Sequence, residues 1–299
     1  MEKICVAGGR PLRGLTRVHG AKNAVLPILG AVLLAAGPVS IRNCPDLSDV
    51  RKMCAILTHL GGGVEFSGDV LTVDPTAARC HEMPEGLSKE LRSSIFMLGP
   101  VLGRFQKAKF TYPGGCEIGA RPIDLHLQGL RALNVEVIEE GGAILCDGSA
   151  MRGASIHLDV PSVGATENLM MAAVAAKGTT VLHNAAREPE IAALAGFLQR
   201  LGASVRGAGT SAITIEGGRA LGAADCFLMP DRIEAGTLLA AGAITGGDVR
   251  ISGLVPGHLN AALAKFRQCG CRLDVGEQEI RLRGPKRPKE LSRIDTLPY

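Results

Sequence analysis

Apolar residues fall along this chain in four long runs, each ended by a glycine or a short polar turn. Lys22–Ala36, Arg92–Arg104, Ala165–Lys177 and Asp231–Thr245 carry Leu-Leu or Ala-Ala pairs with few polar interruptions. Helices apolar nearly all round belong in an interior, so these four are expected to be buried. Each leads to a short segment of strand character: Val39–Arg42, Lys109–Tyr112, Thr180–His183 and Val249–Ser252. A second set of helices follows turns rich in Pro, Asn or Gly: Ser48–Leu60, Pro122–Leu133, Glu188–Leu201 and Gly257–Cys269. Their apolar positions lie on one face, so they are expected to border solvent.

The second helices end at equivalent slots, Gly61, Asn134, Gly202 and Gly270. Gly and Asn are the residues that tolerate the left-handed turn closing a helix. The slots stand about 70 residues apart, longer than a common solenoid repeat and suited to a whole βαβαββ unit. Alternating strands follow, such as Val70-Leu71-Thr72-Val73 and Ala212-Ile213-Thr214-Ile215. The expected fold is α/β (α+β): an inside-out α/β barrel of repeated βαβαββ units, with helices inside and sheets outside.

Composition narrows this picture. Of 299 residues, 46% are hydrophobic but only 3% aromatic, with no Trp and 39 glycines, so the core is aliphatic and the elements short. A formal charge of +4 without Lys/Arg blocks argues against a nucleic-acid partner. The nine cysteines are an odd number and show no C-x-x-C spacing, so reduced thiols in a cytoplasmic setting are expected. Met1-Glu2-Lys3-Ile4-Cys5-Val6 has neither signal-peptide nor transit-peptide character. The alanine-rich run from Ala24 to Ala36 contains Pro27 and is too short to span a bilayer, so no membrane partner is expected. No His or Cys spacing suits a metal, and no cofactor is implied.

Candidate chemistry concentrates at Cys116, within Tyr112-Pro113-Gly114-Gly115-Cys116-Glu117-Ile118-Gly119-Ala120-Arg121-Pro122. Flanking glycines disfavour regular structure, and Arg121 brings a permanent cation that favours the thiolate. Most free cysteines are small buried hydrophobes, but Gly-Gly-Cys in a turn offers nothing to pack. Such a thiol suits chemistry on an anion.

These residues resemble the UDP-N-acetylglucosamine 1-carboxyvinyltransferase family, also called UDP-N-acetylglucosamine enolpyruvyl transferases. The resemblance runs the length of the chain. It rests on Gly20-Ala21-Lys22-Asn23-Ala24, Leu91-Arg92-Ser93-Ser94, the cysteine loop through Ile123-Asp124, Pro161-Ser162-Val163-Gly164-Ala165-Thr166, Asn184-Ala185-Ala186-Arg187-Glu188-Pro189-Glu190, and Pro230-Asp231-Arg232-Ile233-Glu234-Ala235-Gly236-Thr237. It implies two similar domains around a cleft. One spans 21–229, with three repeats and the cysteine loop. The other, 1–20 with 230–299, is incomplete, and the charged stretch Pro285-Lys286-Arg287-Pro288-Lys289 opens a unit the chain does not finish.

The implied reaction moves the enolpyruvyl group of phosphoenolpyruvate onto the 3′-hydroxyl of UDP-N-acetylglucosamine, with release of phosphate. The resemblance casts Cys116 as general acid, with Lys22 and Arg121 beside it contacting anionic groups. Asn23 matches a residue that orients the sugar, and Arg92 matches an arginine near the phosphates. Pro122, Ile123, Asp124 and Leu125 match the uracil-binding segment, and Ser162, Val163 and Gly164 a diphosphate cradle. On their own terms Lys22 reads equally as a snorkelling lysine, Asn23 as a helix-start residue, the arginines as surface charges, Asp124 as a first-turn acid and Ser162 as an N-cap. His126, Glu188, Glu190, Asp231, Arg232 and Glu234 also match, and helix-end pairing explains them as well. The family's later aspartate and several arginines have no counterpart here, which leaves a second expectation: a piece that binds UDP-sugar without turning it over.

Overall fold

The structure is a computed structural model describing residues 3–112, 114 and 123–295. The chain forms two compact units: Lys22–Met229, and the residues up to Ala21 joined to those from Pro230 onward. Strand β1 (Arg13–Arg17) lies in the second of these.

Three repeats make up Lys22–Met229. The first holds α1 (Lys22–Val32), β2 (Val39–Arg42), α2 (Ser48–His59) and the hairpin of β3 (Gly63–Ser67) and β4 (Val70–Asp74). In the second, a short α3 (Glu85–Glu90) and a 3-10 segment, Arg92–Met97, lead into α4 (Leu98–Phe105). It continues with β5 (Lys107–Thr111), α5 (Asp124–Ala132), β6 (Glu136–Glu140) and β7 (Ala143–Asp147). The third runs β8 (Ser155–His157), α6 (Val163–Ala175), β9 (Gly178–His183), α7 (Pro189–Arg200), β10 (Ser204–Arg206) and β11 (Ala212–Gly217), before β12 (Cys226–Phe227). The other unit adds α8 (Arg232–Ile244), β13 (Asp248–Ser252), a 3-10 turn at Pro256–Leu259, α9 (Asn260–Gln268), β14 (Arg272–Val275) and β15 (Glu279–Arg283) to β1.

Each repeat builds one sheet, with strand orders β12-β2-β4-β3, β5-β7-β6, β10-β11-β9-β8 and β1-β13-β15-β14. A hairpin lies antiparallel on the repeat's own strand, and a further strand joins it in parallel: β8 on β9, β12 on β2, β1 on β13. In the second repeat that parallel strand shrinks to one bridge, Glu82 with Lys109. The plan is βαβαββ with an exchange. β1 precedes α1 in the chain but pairs with β13, whereas β12 precedes α8 but pairs with β2.

Inward positions alternate as a half-buried sheet requires. Val39 and Ile41 of β2 face Val73 and Leu71 of β4, and all four are buried. The closing slots adopt the left-handed conformation expected of them, with φ of 100° at Gly61, 65° at Asn134, 107° at Gly202 and 91° at Gly270. Two more asparagines share a role not foreseen from the sequence. After β2 and β9, Asn43 and Asn184 take φ of 58° and 53°. Their Nδ2 groups donate to Leu228 O (3.1 Å) and Leu158 O (2.8 Å), clamping the chain just past β12 and β8.

Helices are inside and sheets outside. Every residue of α1 from Ala24 to Val32 is buried, as is every residue of α6 from Ala165 to Val174. The boundaries differ from expectation at three places. α1 stops at Val32, because the amides of Leu33, Leu34 and Ala35 tighten onto carbonyls three residues back. The helix expected from Arg92 starts as a 3-10 turn and becomes α-helical at Leu98, which leaves Pro100 in a first turn where its missing N–H costs nothing. The helix expected from Gly257 likewise begins with a 3-10 turn at Pro256. One expectation is overturned: α8 buries only Ala235, Leu239, Gly242 and Ala243, and Ile233 and Ile244 are exposed. The core of its unit presses on one face of this helix, through residues such as Ile251, Leu263 and Leu282.

α4 approaches α6 most closely at Gly99, where an added Cβ would fall 2.3 Å from Asn168 O. Nearby, Glu167 is fully buried and neither carboxyl oxygen meets a hydrogen-bond partner among the described residues. Burial pushes its carboxyl well above the usual range, and the carboxyls of Glu190 and Glu188 add to the rise. The folded state therefore keeps a proton that the unfolded chain releases above about pH 4.5.

Two outcomes follow from this packing. Gly99→Ala drives a methyl into backbone and should destabilise its unit by about 3 kcal/mol, read as a lower denaturation midpoint. Glu167 binds more protons folded than unfolded, so its contribution to stability falls as pH rises past its unfolded value, by at most about 1.4 kcal/mol per pH unit. In melting curves from pH 5 to 9, Glu167→Gln should remove that decline, so the variant gains on the parent steadily toward alkaline pH. A constant gap across that range would refute the neutral carboxyl.

Candidate active site

The buried bodies of α1 and α6 leave polar work to their first turns. At the start of α1, Lys22 is half-buried and Asn23 exposed. The Lys22 ammonium pairs with Asp49 Oδ2 at 2.5 Å, in the first turn of α2. At the start of α6, Ser162 caps the helix: its Oγ accepts from the Ala165 amide at 3.3 Å, the plain reading of that serine. The Val163 and Gly164 amides sit one step earlier in this 13-residue helix, whose dipole favours an anion there.

A histidine joins this end of α6 to the segment matched with uracil binding. Ile123 is buried, and its carbonyl accepts from the amides of His126 (3.0 Å) and Leu127 (3.1 Å), which starts α5. Asp124 lies exposed in the first turn of α5, and Leu125 is half-buried. His126 is 7% exposed. Burial pulls its pKa down to about 4, with the Arg92 charge helping and Asp124 opposing, so the ring is neutral. Asn168 fixes its tautomer. The Asn168 Oδ1 accepts the Gly99 amide at 2.7 Å, so its Nδ2 must donate to His126 Nδ1, 3.0 Å away. The ring proton then sits on Nε2.

Arg92, Asp124 and Gly164 are thus gathered around the His126 imidazole, whereas Lys22 is placed by its pairing with α2. Cys116, Arg121 and Pro122 lie outside the described residues. The described flanks of their segment are anchored. The Tyr112 hydroxyl donates to Glu139, which also accepts from Arg131 at 2.8 Å. The Gly114 amide donates to Ser88 O at 3.3 Å, and a Cβ at Gly114 would fall 2.1 Å from Lys89 O, so only glycine fits. The remaining matched residues take structural roles as well. Asp231 caps α8 through the amides of Ile233 (2.8 Å) and Glu234 (3.0 Å). Glu234 accepts from the His19 amide at 2.8 Å. Glu188 precedes α7, with Glu190 buried in its first turn.

Asn168, Tyr112 and Glu139 were not foreseen as site residues. The available signal was Glu167-Asn168, two polar residues inside an otherwise apolar helix. Three other thiols are poor nucleophiles: burial raises Cys44 to about 12 and Cys54 and Cys146 to about 11. Among the described residues no group of three His, Cys, Asp or Glu can hold a metal ion, and no helix is long and apolar enough to cross a membrane. A groove of about 390 Å³ beside β5 and β7, lined by residues including His81, Glu82, Lys107, Glu136 and Asp147, contains none of the candidate residues.

Comparison with known proteins places this arrangement. Residues 6–299 match the family model of EPSP synthase (3-phosphoshikimate 1-carboxyvinyltransferase). The chain is 48% identical over 299 residues to UDP-N-acetylglucosamine 1-carboxyvinyltransferase 2 of Caldanaerobacter subterraneus subsp. tengcongensis, covering all of this chain and 72% of that protein. It is 48% identical over 304 residues to UDP-N-acetylglucosamine 1-carboxyvinyltransferase 1 of Symbiobacterium thermophilum, covering 69% of that protein. Among solved structures, the enolpyruvyl transferase NikO from Streptomyces tendae superposes with a TM-score of 0.81 at 24% identity, over 93% of this chain and 67% of that one. EPSP synthase from Acinetobacter baumannii gives 0.72 at 16%, over 93% and 66%. These two likenesses establish the fold, and the sequence relatives establish the branch. The chain belongs to the UDP-N-acetylglucosamine 1-carboxyvinyltransferases, within the wider EPSP synthase family of enolpyruvyl transferases.

Proposed function

We propose that the chain transfers the enolpyruvyl group of phosphoenolpyruvate to the 3′-hydroxyl of UDP-N-acetylglucosamine and releases phosphate, an early step of peptidoglycan synthesis in the cytoplasm. The observation that carries this reading is 48% identity to two such transferases over the whole chain, beside the glycine-framed cysteine motif of its own sequence. Lys22–Met229, carrying the cysteine segment, serves as one domain of the transferase, and the remaining residues belong to the other.

The residues divide the work by charge. Cys116 delivers a proton to the methylene carbon of phosphoenolpyruvate while the sugar oxygen bonds to C2 and its hydroxyl proton passes to water, giving a tetrahedral ketal. Loss of phosphate and of a methyl proton then restores the double bond on the sugar. A thiol beside a permanent cation such as Arg121 gives up its proton more readily than an isolated one. Lys22 and Arg121 hold the anionic groups of phosphoenolpyruvate, and preorganised cations stabilise charge that develops during addition. Asn23 orients the sugar. Pro122, Ile123, Asp124 and Leu125 take the uracil ring. Arg92 and the Ser162–Gly164 turn take the diphosphate, the latter supported by the free amides at the start of a buried helix.

Phosphate release from the two substrates, set beside calorimetric binding of UDP-N-acetylglucosamine, tests the assignment. Turnover should appear with the parent chain and fall by about 10²-fold or more in Cys116→Ala, while sugar-nucleotide binding stays within a few fold. Binding without any turnover by the parent would instead favour the binding-only reading. Fosfomycin, an epoxide, should add its mass to the parent chain at Cys116. An unmodified Cys116 after incubation with fosfomycin and UDP-N-acetylglucosamine counts against the thiol's role.

A further inference from the structure

Two histidines far apart in sequence meet on the sheet of the third repeat. His157 ends β8 and His183 ends β9, and the parallel pairing of these strands puts the two in register. Ile156 and Leu182 before them are buried, so both histidines point to the outer face. Their rings lie nearly parallel, 6.5 Å between centres and 23° between planes. His157 is exposed and His183 half-buried. The Nε2 of His183 lies 3.2 Å from the Oγ of Ser155, which precedes His157 on the same face of β8. When Nε2–H donates to that hydroxyl, the Nδ1 lone pair of His183 is left over. Among the described residues nothing bonds to it, and His157 has no hydrogen-bond partner either. On its other side His183 faces only the methyl group of Ala212.

We propose that His157 and His183 form a two-imidazole site for a divalent transition-metal ion of the zinc or nickel kind, with water completing the coordination. Imidazole nitrogen suits these ions. Two rings holding one ion at about 2.1 Å per nitrogen stand roughly 5 Å apart between centres in a tetrahedral arrangement. Turning the exposed His157 ring closes the difference from 6.5 Å. Metal-binding histidines donate their second ring N–H to an oxygen that fixes the tautomer, and Ser155 stands in that place for His183. The strands are already joined just here. The Leu158 amide donates to His183 O at 3.1 Å, and Asn184 Nδ2 donates to Leu158 O at 2.8 Å. The two Cα positions are therefore set before any ion arrives, which lowers the entropic cost of chelation. Two protein donors are fewer than a structural site uses, so the ion exchanges with solvent and is not needed for folding.

Nickel chloride is the probe, since thiolates favour softer ions and the cysteines then compete less. In calorimetric titration of the full chain, one equivalent should bind. His157→Gln and His183→Gln should each weaken that binding about tenfold or more, because losing either ring destroys the chelate. Nickel should also raise the melting temperature of the parent and leave that of both variants unmoved. A substitution that merely harms the sheet would lower the melt equally with and without the metal. Parent-like nickel affinity in both variants assigns the ion to other side chains and overturns the proposal, as does a parent that binds no nickel at about 1 mM. Nickel is paramagnetic, so in ¹H–¹⁵N spectra of the unaltered protein the first ring signals to broaden should be those of His157 and His183. Broadening that begins at other histidines refutes the site.

Discussion

The contact of α4 with α6 at Gly99 is the constraint on which the site depends. A backbone-to-backbone approach that tolerates no Cβ brings the Gly99 amide to Asn168. That bond orients the asparagine, the asparagine orients His126, and His126 sits beneath the first turn of α6. A chain of single hydrogen bonds would be weak in water, but here every member is buried, where a broken link leaves a polar group stranded. The packing of three helices therefore settles which nitrogen of one imidazole carries a proton.

An inside-out arrangement produces this coupling generally. When helices form the core, their flanks bury alkyl groups, and polar side chains survive only at their ends or in pairs. Lys22 and Asn23, Arg92, and Ser162 to Gly164 all stand where buried helices begin. Helix starts attract anions, so the architecture presents positive potential at these positions. The protonated Glu167 is the converse case: a carboxyl in the interior of α6 survives by giving up its charge.

Much of this was legible in the residues. The slots at Gly61, Asn134, Gly202 and Gly270 marked the repeat because only a few residues accept the left-handed turn, and the apolar runs marked the interior helices. Boundaries near Pro100 and Pro256 slipped because proline's effect depends on where the first α-turn closes, which tertiary packing decides. The solvent face of α8 was invisible, since Leu and Ala runs look alike whether one flank or all flanks are covered. Lys22, Arg92 and Ser162 stood out through motif. Asn168 was not, because its role lies in a long-range bond to an amide 69 residues away in sequence.

The exchanged strands have a consequence for synthesis. β1 leaves the ribosome ahead of Lys22–Met229, yet its partner β13 begins only at Asp248, after all of that unit has emerged. Through that interval its backbone donors and acceptors are an open edge, the kind that recruits other nascent chains. Its composition answers the hazard: Arg-Gly-Leu-Thr-Arg is short, flanked by like charges and exposed along its whole length even in the finished sheet. Translation order thus favours an unattractive strand wherever a partner is made long afterwards, independently of anything the active site requires.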